Sequence, residues 1–242
     1  MSESQYSSVS PQYILYKEYL KKQIPNSMWL NDEKFEEQLI GLYGSINDNL
    51  TMIKIHVDYF NEYGHIFAYD INNKFLVDLR SNLLSILIAF PLNHIGFVHY
   101  LIRTCTESLL KMIYSMVFTD KSEEQIAKTP FRHLKDELKK EYSYAPTIKE
   151  NIIILTNMYG TYSKNVHQYG EVDIFSTKFI NDFFEEDSKE LLKGIKSIHQ
   201  MIDCYFFIIN YTIKFDISSI THANRVYISN QMTEERQKYL FS

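Results

Sequence analysis

The chain of 242 residues has few of the residues that break or turn a backbone. It contains seven glycines and five prolines, well below average usage. Tight turns depend on these two residue types. Their scarcity favours long helices over many short strands, and we predict an all-α fold.

Cysteine is almost absent, since the chain contains only Cys105 and Cys204, each inside an apolar run. Such thiols are most often small buried hydrophobes, so we expect no disulfide framework. The sequence has no clustered Cys/His spacing, no glycine-rich phosphate loop and no Gly-x-Ser-x-Gly elbow, and the site classes that these motifs define have no support. We expect neither a metal nor a cofactor.

Long apolar runs and strong positive charge are missing as well. The stretch "LLSILIAFPLNHIGFVHYLI" is interrupted by Pro91, Asn93 and His94 before the roughly 18 to 20 apolar residues that a membrane span needs. The start, "MSESQYSSVSPQY", lacks the basic and apolar regions of a signal peptide. We expect a cytoplasmic protein without membrane contact. Its net charge of −5 means that nucleic-acid binding would need a local basic patch.

Hydrophobic periodicity divides the chain into four regions. These are a flexible polar tail at 1–12, an N-terminal helical region at 13–72, a helical core at 73–218 and one or two short C-terminal helices at 219–242. The boundary before the core falls in "HIFAYDINNKF", which reads as a loop or an irregular extension. Within these regions we predict helices over 13–24, 31–43, 46–63, 74–90, 93–118, 146–168 and 187–215. Asn31, Pro91 and the Thr129-Pro130 pair are predicted helix starts.

Two of these helices carry a polar row beside the apolar face. On the helix at 146–168, Ser163 and His167 are one turn apart at the border of the apolar stripe. On the helix at 93–118, His99, Arg103 and Glu107 follow one another at every fourth residue. If the two rows face each other, they line a cleft.

Simpler interpretations of the same residues remain open. Arg103 and Glu107 have the spacing of a surface ion pair, and Glu107 pairs in the better orientation with Lys111. His167 is equally typical of a solvated residue near a helix C-terminus, where the helix dipole favours an imidazolium.

The two segments "LIRTCTESLLKMIY" and "YGTYSKNVH", followed by a long final helix, resemble the HEPN superfamily over residues 74–217. The resemblance implies a helical bundle, commonly dimeric, and in many members a metal-independent RNA endonuclease of bacterial toxin or phage-defence systems. The family signature is an Arg, then four to six residues, then a His near the end of a core helix, with an acidic or polar helper from a neighbouring helix.

His167 matches the signature His, and Glu107 matches the acidic helper. The signature Arg would fall at Gly160, Thr161 or Tyr162, and no Arg stands there. Arg103, on the facing helix, is our inferred replacement for the missing guanidinium.

Together, the polar rows and the resemblance predict a HEPN-like, metal-independent endoribonuclease. In such chemistry a His moves the proton of the 2′-hydroxyl, and an Arg stabilises the charge on the phosphate. The expected partners are RNA, a second copy of the chain, and a cognate antitoxin or defence-system protein. We expect His167, Arg103, Glu107 and Ser163 to be catalytic, and Lys164, Tyr162 and His99 to bind RNA.

Two other functions remain compatible with the sequence. One is a catalytically inactive HEPN-like module that binds RNA, a nucleotide or a protein. The other is a helical dimerisation scaffold whose polar rows have no chemical role.

Overall fold

A computed structural model describes residues 11–63, 74–168 and 188–241 of the protein. In these residues all regular secondary structure is helical, which confirms the all-α prediction. Single turns of 3-10 helix form at Tyr142–Tyr144 and Ile217–Ser219. The α-helices in chain order are α1 (Pro11–Gln23), α2 (Met28–Asn31), α3 (Glu33–Tyr63), α4 (Lys74–Ala89), α5 (Ile95–Val117), α6 (Glu123–Lys128), α7 (Phe131–Glu141), α8 (Pro146–Gln168), α9 (Ser188–Ile213), α10 (His222–Gln231) and α11 (Glu234–Phe241).

The N-terminal region contains one long helix where the sequence predicted two. Helix α3 runs without a break through Gly44, whose missing side chain makes room for Thr233: an added Cβ would lie 3.1 Å from the Thr233 methyl group. Its start is also two residues later than predicted. Asn31 ends α2, and Asp32 accepts the Lys34 backbone N–H at 2.9 Å.

Helix α5 begins after Pro91 and not at it. Pro91 lies in the turn that leaves α4, and Asn93 adopts a positive φ of 56° there. The His94 ring nitrogen Nδ1 then accepts the Phe97 backbone N–H at 3.0 Å. A side-chain acceptor at this position satisfies one of the free N–H groups of a helix start, which explains why α5 begins at Ile95.

Helix α5 is central to the bundle, because it packs against α4, α8 and α9. Helix α9 also packs against α3 and α8. Gly194 allows α9 to come close to the α4–α5 corner, since a Cβ there would lie 3.2 Å from Phe90 Cζ and 3.4 Å from Val98 Cγ1. Helices α5 and α8 run antiparallel: His99 lies against Tyr162, and Arg103, one turn further along α5, reaches back to Tyr159.

The N-terminal helices join the same hydrophobic core. The Trp29 ring packs edge-on against Phe90 at 5.7 Å between centroids. The Ser27 hydroxyl donates to the Pro91 carbonyl at 2.8 Å, and Trp29 Nε1 donates to Asn93 Oδ1 at 2.6 Å. Helix α2 therefore fixes the turn from which α5 starts. The predicted tail up to residue 10 and the ambiguous stretch at 65–73 lie outside the described residues.

The C-terminal helices α10 and α11, which the sequence predicted at 220–240, are joined to α3 by a buried carboxylate. Asp48, only 2% exposed, accepts the Thr233 backbone N–H at 2.8 Å and the Thr233 hydroxyl at 2.6 Å. These bonds satisfy polar groups at the start of α11. Across the described ranges, no helix has the length and apolarity needed to cross a bilayer.

Candidate functional site between α5 and α8

The two polar rows predicted from the sequence face each other in the structure. Arg103 of α5 reaches across to α8, where its Nε donates to Ser163 Oγ at 3.1 Å and its Nη2 donates to the Tyr159 hydroxyl at 3.2 Å. Its guanidinium carbon lies 5.2 Å from the centre of the Tyr159 ring, within the range of a cation–π contact. The two hydrogen bonds hold the guanidinium in place, and the Arg103 side chain as a whole is 26% exposed.

Glu107 is shared between two cations. One carboxylate oxygen lies 3.7 Å from Arg103 Nη2, and the other accepts a hydrogen bond from Lys111 Nζ at 2.8 Å. Lys111 also donates to the Ala127 carbonyl of α6 at 3.1 Å. Both pairings weighed from the sequence are therefore present. Among these three side chains, two positive groups share one negative group.

Tyr159 is a site residue that the sequence analysis missed. Its ring stacks on Phe131 of α7, with centroids 3.8 Å apart and planes at 19°, and its hydroxyl accepts from Arg103. The signal for it in the sequence is its place one turn before Ser163, which puts both side chains on the same side of α8. We call Arg103, Glu107, Lys111, Tyr159 and Ser163 the Arg103 cluster.

His99 and Tyr162 lie inside the protein, which argues against the RNA contact that we expected of them. They are 2% and 5% exposed, and their rings meet at 5.1 Å. The Tyr162 hydroxyl donates to Ser197 of α9 at 2.8 Å. Burial lowers the pKa of His99 and raises that of Tyr162. Helix α9 covers this end of the α5–α8 interface. The spacing of residues along α5 and α8 alone does not reveal packing by this third helix.

The end of α8 remains helical, as the sequence analysis predicted for "YSKNVH". The helix continues to Gln168 and thus includes Lys164, which is exposed, and His167. The backbone of His167 lies one turn beyond Ser163; its side chain is outside the described part of the chain. Because α5 and α8 are antiparallel, the last turn of α8 lies level with the first turn of α5.

Among the described residues, no three His, Cys, Asp or Glu side chains come together as a metal site would require. Comparison of the chain with protein-family models, curated proteins and solved structures found no match. The Arg103 cluster and the helix end beside it are therefore the basis for a function.

Proposed function

We propose that the protein is a HEPN-like, metal-independent endoribonuclease of a bacterial toxin or phage-defence system. The observation that carries the proposal is the hydrogen bond from Arg103 Nε to Ser163 Oγ. It ties the only arginine of α5 to the helix whose last turn contains His167. A guanidinium and an imidazole on facing helices can supply the charge stabilisation and the proton transfer of metal-free RNA cleavage.

The state of Arg103 supports phosphate binding. Its bonds to Ser163 and Tyr159 use Nε and Nη2, and no described residue accepts from Nη1. A guanidinium has five N–H donors in a planar fork that suits phosphate oxygens. The acceptors that hold Arg103 are neutral hydroxyls, and Glu107 divides its charge between Arg103 and Lys111. The positive charge of the cluster is therefore not cancelled within it.

The proposed reaction is an internal transfer of the phosphodiester. The 2′-oxygen of the ribose forms a bond to phosphorus, the bond from phosphorus to the 5′-oxygen of the next nucleotide breaks, and the products are a 2′,3′-cyclic phosphate and a 5′-hydroxyl. The proton of the 2′-hydroxyl moves to a base, and the leaving 5′-oxygen takes up a proton. His167 is assigned the removal of the proton from the 2′-hydroxyl, and Arg103 stabilises the charge that develops on the phosphate oxygens.

The other residues of the cluster orient these two groups. Ser163 and Tyr159 fix the plane of the guanidinium through Nε and Nη2, and Glu107 approaches it from the next turn of α5. We assign them positioning roles. A homodimer would place two such clefts side by side and enlarge the basic surface. A cognate antitoxin or defence-system protein is the proposed regulator of the nuclease.

A second candidate is a HEPN-like module that binds RNA, a nucleotide or a protein without cutting. The observation in its favour is the sequence at 160–162, where Gly, Thr and Tyr stand in place of the family arginine. In this alternative the contacts of Arg103 with Ser163 and Tyr159 only join α5 to α8. A dimerisation scaffold is the third possibility.

RNA cleavage in EDTA tests the proposal. Purified protein should cut total RNA without any metal, and His167→Ala should slow the reaction by roughly 100-fold or more, the usual contribution of general acid–base catalysis. His222→Ala, at an exposed histidine of α10, is the control and should cut normally. RNA retained on a filter without cleavage would favour the binding module, and neither binding nor cleavage would favour the scaffold.

A further inference from the structure

Two aromatic rings are exposed at the start of α5. Phe97 is 38% exposed and Tyr100 is 45% exposed. Their planes are parallel to within 12°, and their centroids are 6.4 Å apart. We call Phe97 and Tyr100 the aromatic pair. Their partial exposure contrasts with the full burial of the neighbouring Val98 and Ile102. The His94 ring lies edge-on to Phe97, with centroids 6.0 Å apart.

The aromatic pair continues the surface of the Arg103 cluster. At about 100° per residue, Phe97, Tyr100, Glu107 and Lys111 fall on one solvent-facing arc of α5, with Arg103 at its α8 edge. Tyr100 and Arg103 are three residues apart and are therefore neighbours on the helix surface. Along α5, the two rings are followed by Arg103, and Lys111 lies about two turns beyond Arg103, with Glu107 between the two cations.

This order of chemistry fits a single nucleic-acid strand. Proteins that bind unpaired strands stack bases on exposed aromatic rings and hold the backbone with cations. Successive bases of such a strand are close to parallel, as the two rings are. In a duplex the base faces are already stacked on one another, and side chains recognise RNA helices mainly by shape and backbone. The rings therefore favour an unpaired strand.

A second copy of the chain is a poorer occupant of this surface. In a two-fold symmetric dimer the same patch meets itself, so the surplus positive charge of Arg103 and Lys111 over Glu107 would face its own equivalent. A phosphate backbone has the opposite charge. Charge complementarity thus selects the polyanion.

We propose that Phe97 and Tyr100 form a base-stacking platform and that the ligand of this face of α5 is single-stranded RNA. One or two unpaired bases stack on the rings, while the adjoining phosphate lies towards Arg103. The choice of RNA as the polymer rests on the proposed function, but binding at the platform does not depend on cleavage.

The test uses a short single-stranded RNA with 2′-O-methyl groups, which cannot undergo the internal transfer and so reports binding alone. Fluorescence anisotropy measures its dissociation constant for the full chain. Phe97→Ala and Tyr100→Ala should each weaken binding by roughly 5- to 150-fold, the effect of removing one stacking partner. Tyr100→Trp keeps an aromatic ring at this position, so it should bind the RNA about as well as the wild-type chain and better than Tyr100→Ala. Tyr211→Ala is the matched control, because Tyr211 is also 45% exposed but lies near the end of α9.

The outcomes separate this inference from the nuclease proposal. If both ring substitutions weakened RNA binding but the wild-type chain cut no RNA, the result would support the platform and contradict the nuclease proposal. Cleavage and binding that are unchanged in Phe97→Ala and Tyr100→Ala would overturn the platform alone. The platform would also be overturned if the wild-type chain bound no RNA, or if the two variants converted a dimer to a monomer in sedimentation without loss of RNA binding.

Discussion

Arg103→Ala is expected to reduce RNA cleavage by about 100-fold or more, which is the cost of removing one preorganised group that stabilises transition-state charge. The reason lies in the position of the guanidinium, which is hydrogen-bonded to Ser163 and Tyr159 on a side chain that is partly exposed. The variant should remain folded, because Arg103 is not fully buried and Glu107 keeps its partner Lys111. Rates measured in EDTA on a defined RNA substrate, with circular dichroism of each protein, check both statements.

Two further variants show whether the effect of Arg103 comes from its charge or its geometry. Arg103→Lys retains a positive charge but loses the planar fork, so it should recover only part of the activity. Ser163→Ala removes the acceptor for Nε and should lower the rate less than Arg103→Ala. Combined with Arg103→Ala it should add little, because residues that share one interaction are not additive. Arg80→Ala, at an exposed arginine of α4, is the control. The guanidinium would have no part in the reaction if the Arg103→Ala variant kept full activity while the separate His167→Ala variant lost it.

The second large effect concerns stability and pH. His56 of α3 is fully buried; its Nε2 lies 2.8 Å from Asn210 Oδ1 and its Nδ1 lies 2.9 Å from the Tyr205 hydroxyl. The amide oxygen of Asn210 can only accept a hydrogen bond, so Nε2 donates to it. In the neutral ring Nδ1 then accepts from the Tyr205 hydroxyl. Burial lowers the pKa of His56 from 6.5 to about 4, because the charged imidazolium loses its hydration in the core.

The lowered pKa fixes the direction of the pH effect. Between pH 6.5 and about 4, the unfolded chain binds a proton at His56 more readily than the folded chain does, so the free energy of unfolding falls as the pH falls. The contribution of the neutral His56 ring to the free energy of unfolding is complete above pH 6.5. Between pH 6.5 and about 4, the free energy of unfolding falls by roughly 3 kcal/mol through this group. Urea denaturation over this pH range measures it. His56→Gln, which does not titrate, should flatten the profile, whereas His222→Gln on the surface should leave it unchanged. Equal slopes for the wild-type and His56→Gln proteins would contradict the assignment.

The sequence predicted what depends on residues close together along the chain. The rows of α5 and α8 were visible because their members are separated by one helical turn, and a surplus of apolar residues marked the buried face beside each row. Scarce glycine and proline indicated long helices. The same local reasoning placed a break near Gly44, where tertiary packing against Thr233 keeps α3 continuous.

What escaped prediction depends on contacts between distant residues. His99 lies on the row of Arg103, yet α9 buries it together with Tyr162. His56 is anchored by residues 149 and 154 positions further along the chain, and its own helix gives no sign of them. The sequence predicted a cleft only if the polar rows of Arg103 and Ser163 faced each other. In the structure they do, although the two residues are 60 positions apart along the chain.

In the proposed nuclease, Arg103 takes the place of the family arginine that α8 lacks, and a rescue experiment can show this substitution. Gly160 lies within about 60° of Ser163 and His167 on α8, and an added Cβ there meets nothing within 4 Å. RNA cleavage in EDTA is measured for Arg103→Ala alone and combined with Gly160→Arg, with Gly160→Gln as the uncharged control. Gly160→Arg is expected to restore cleavage to the inactive Arg103→Ala protein, whereas Gly160→Gln is not. Cleavage by Arg103→Ala at the wild-type rate, or no metal-free cleavage by the wild-type chain, would contradict this role of Arg103.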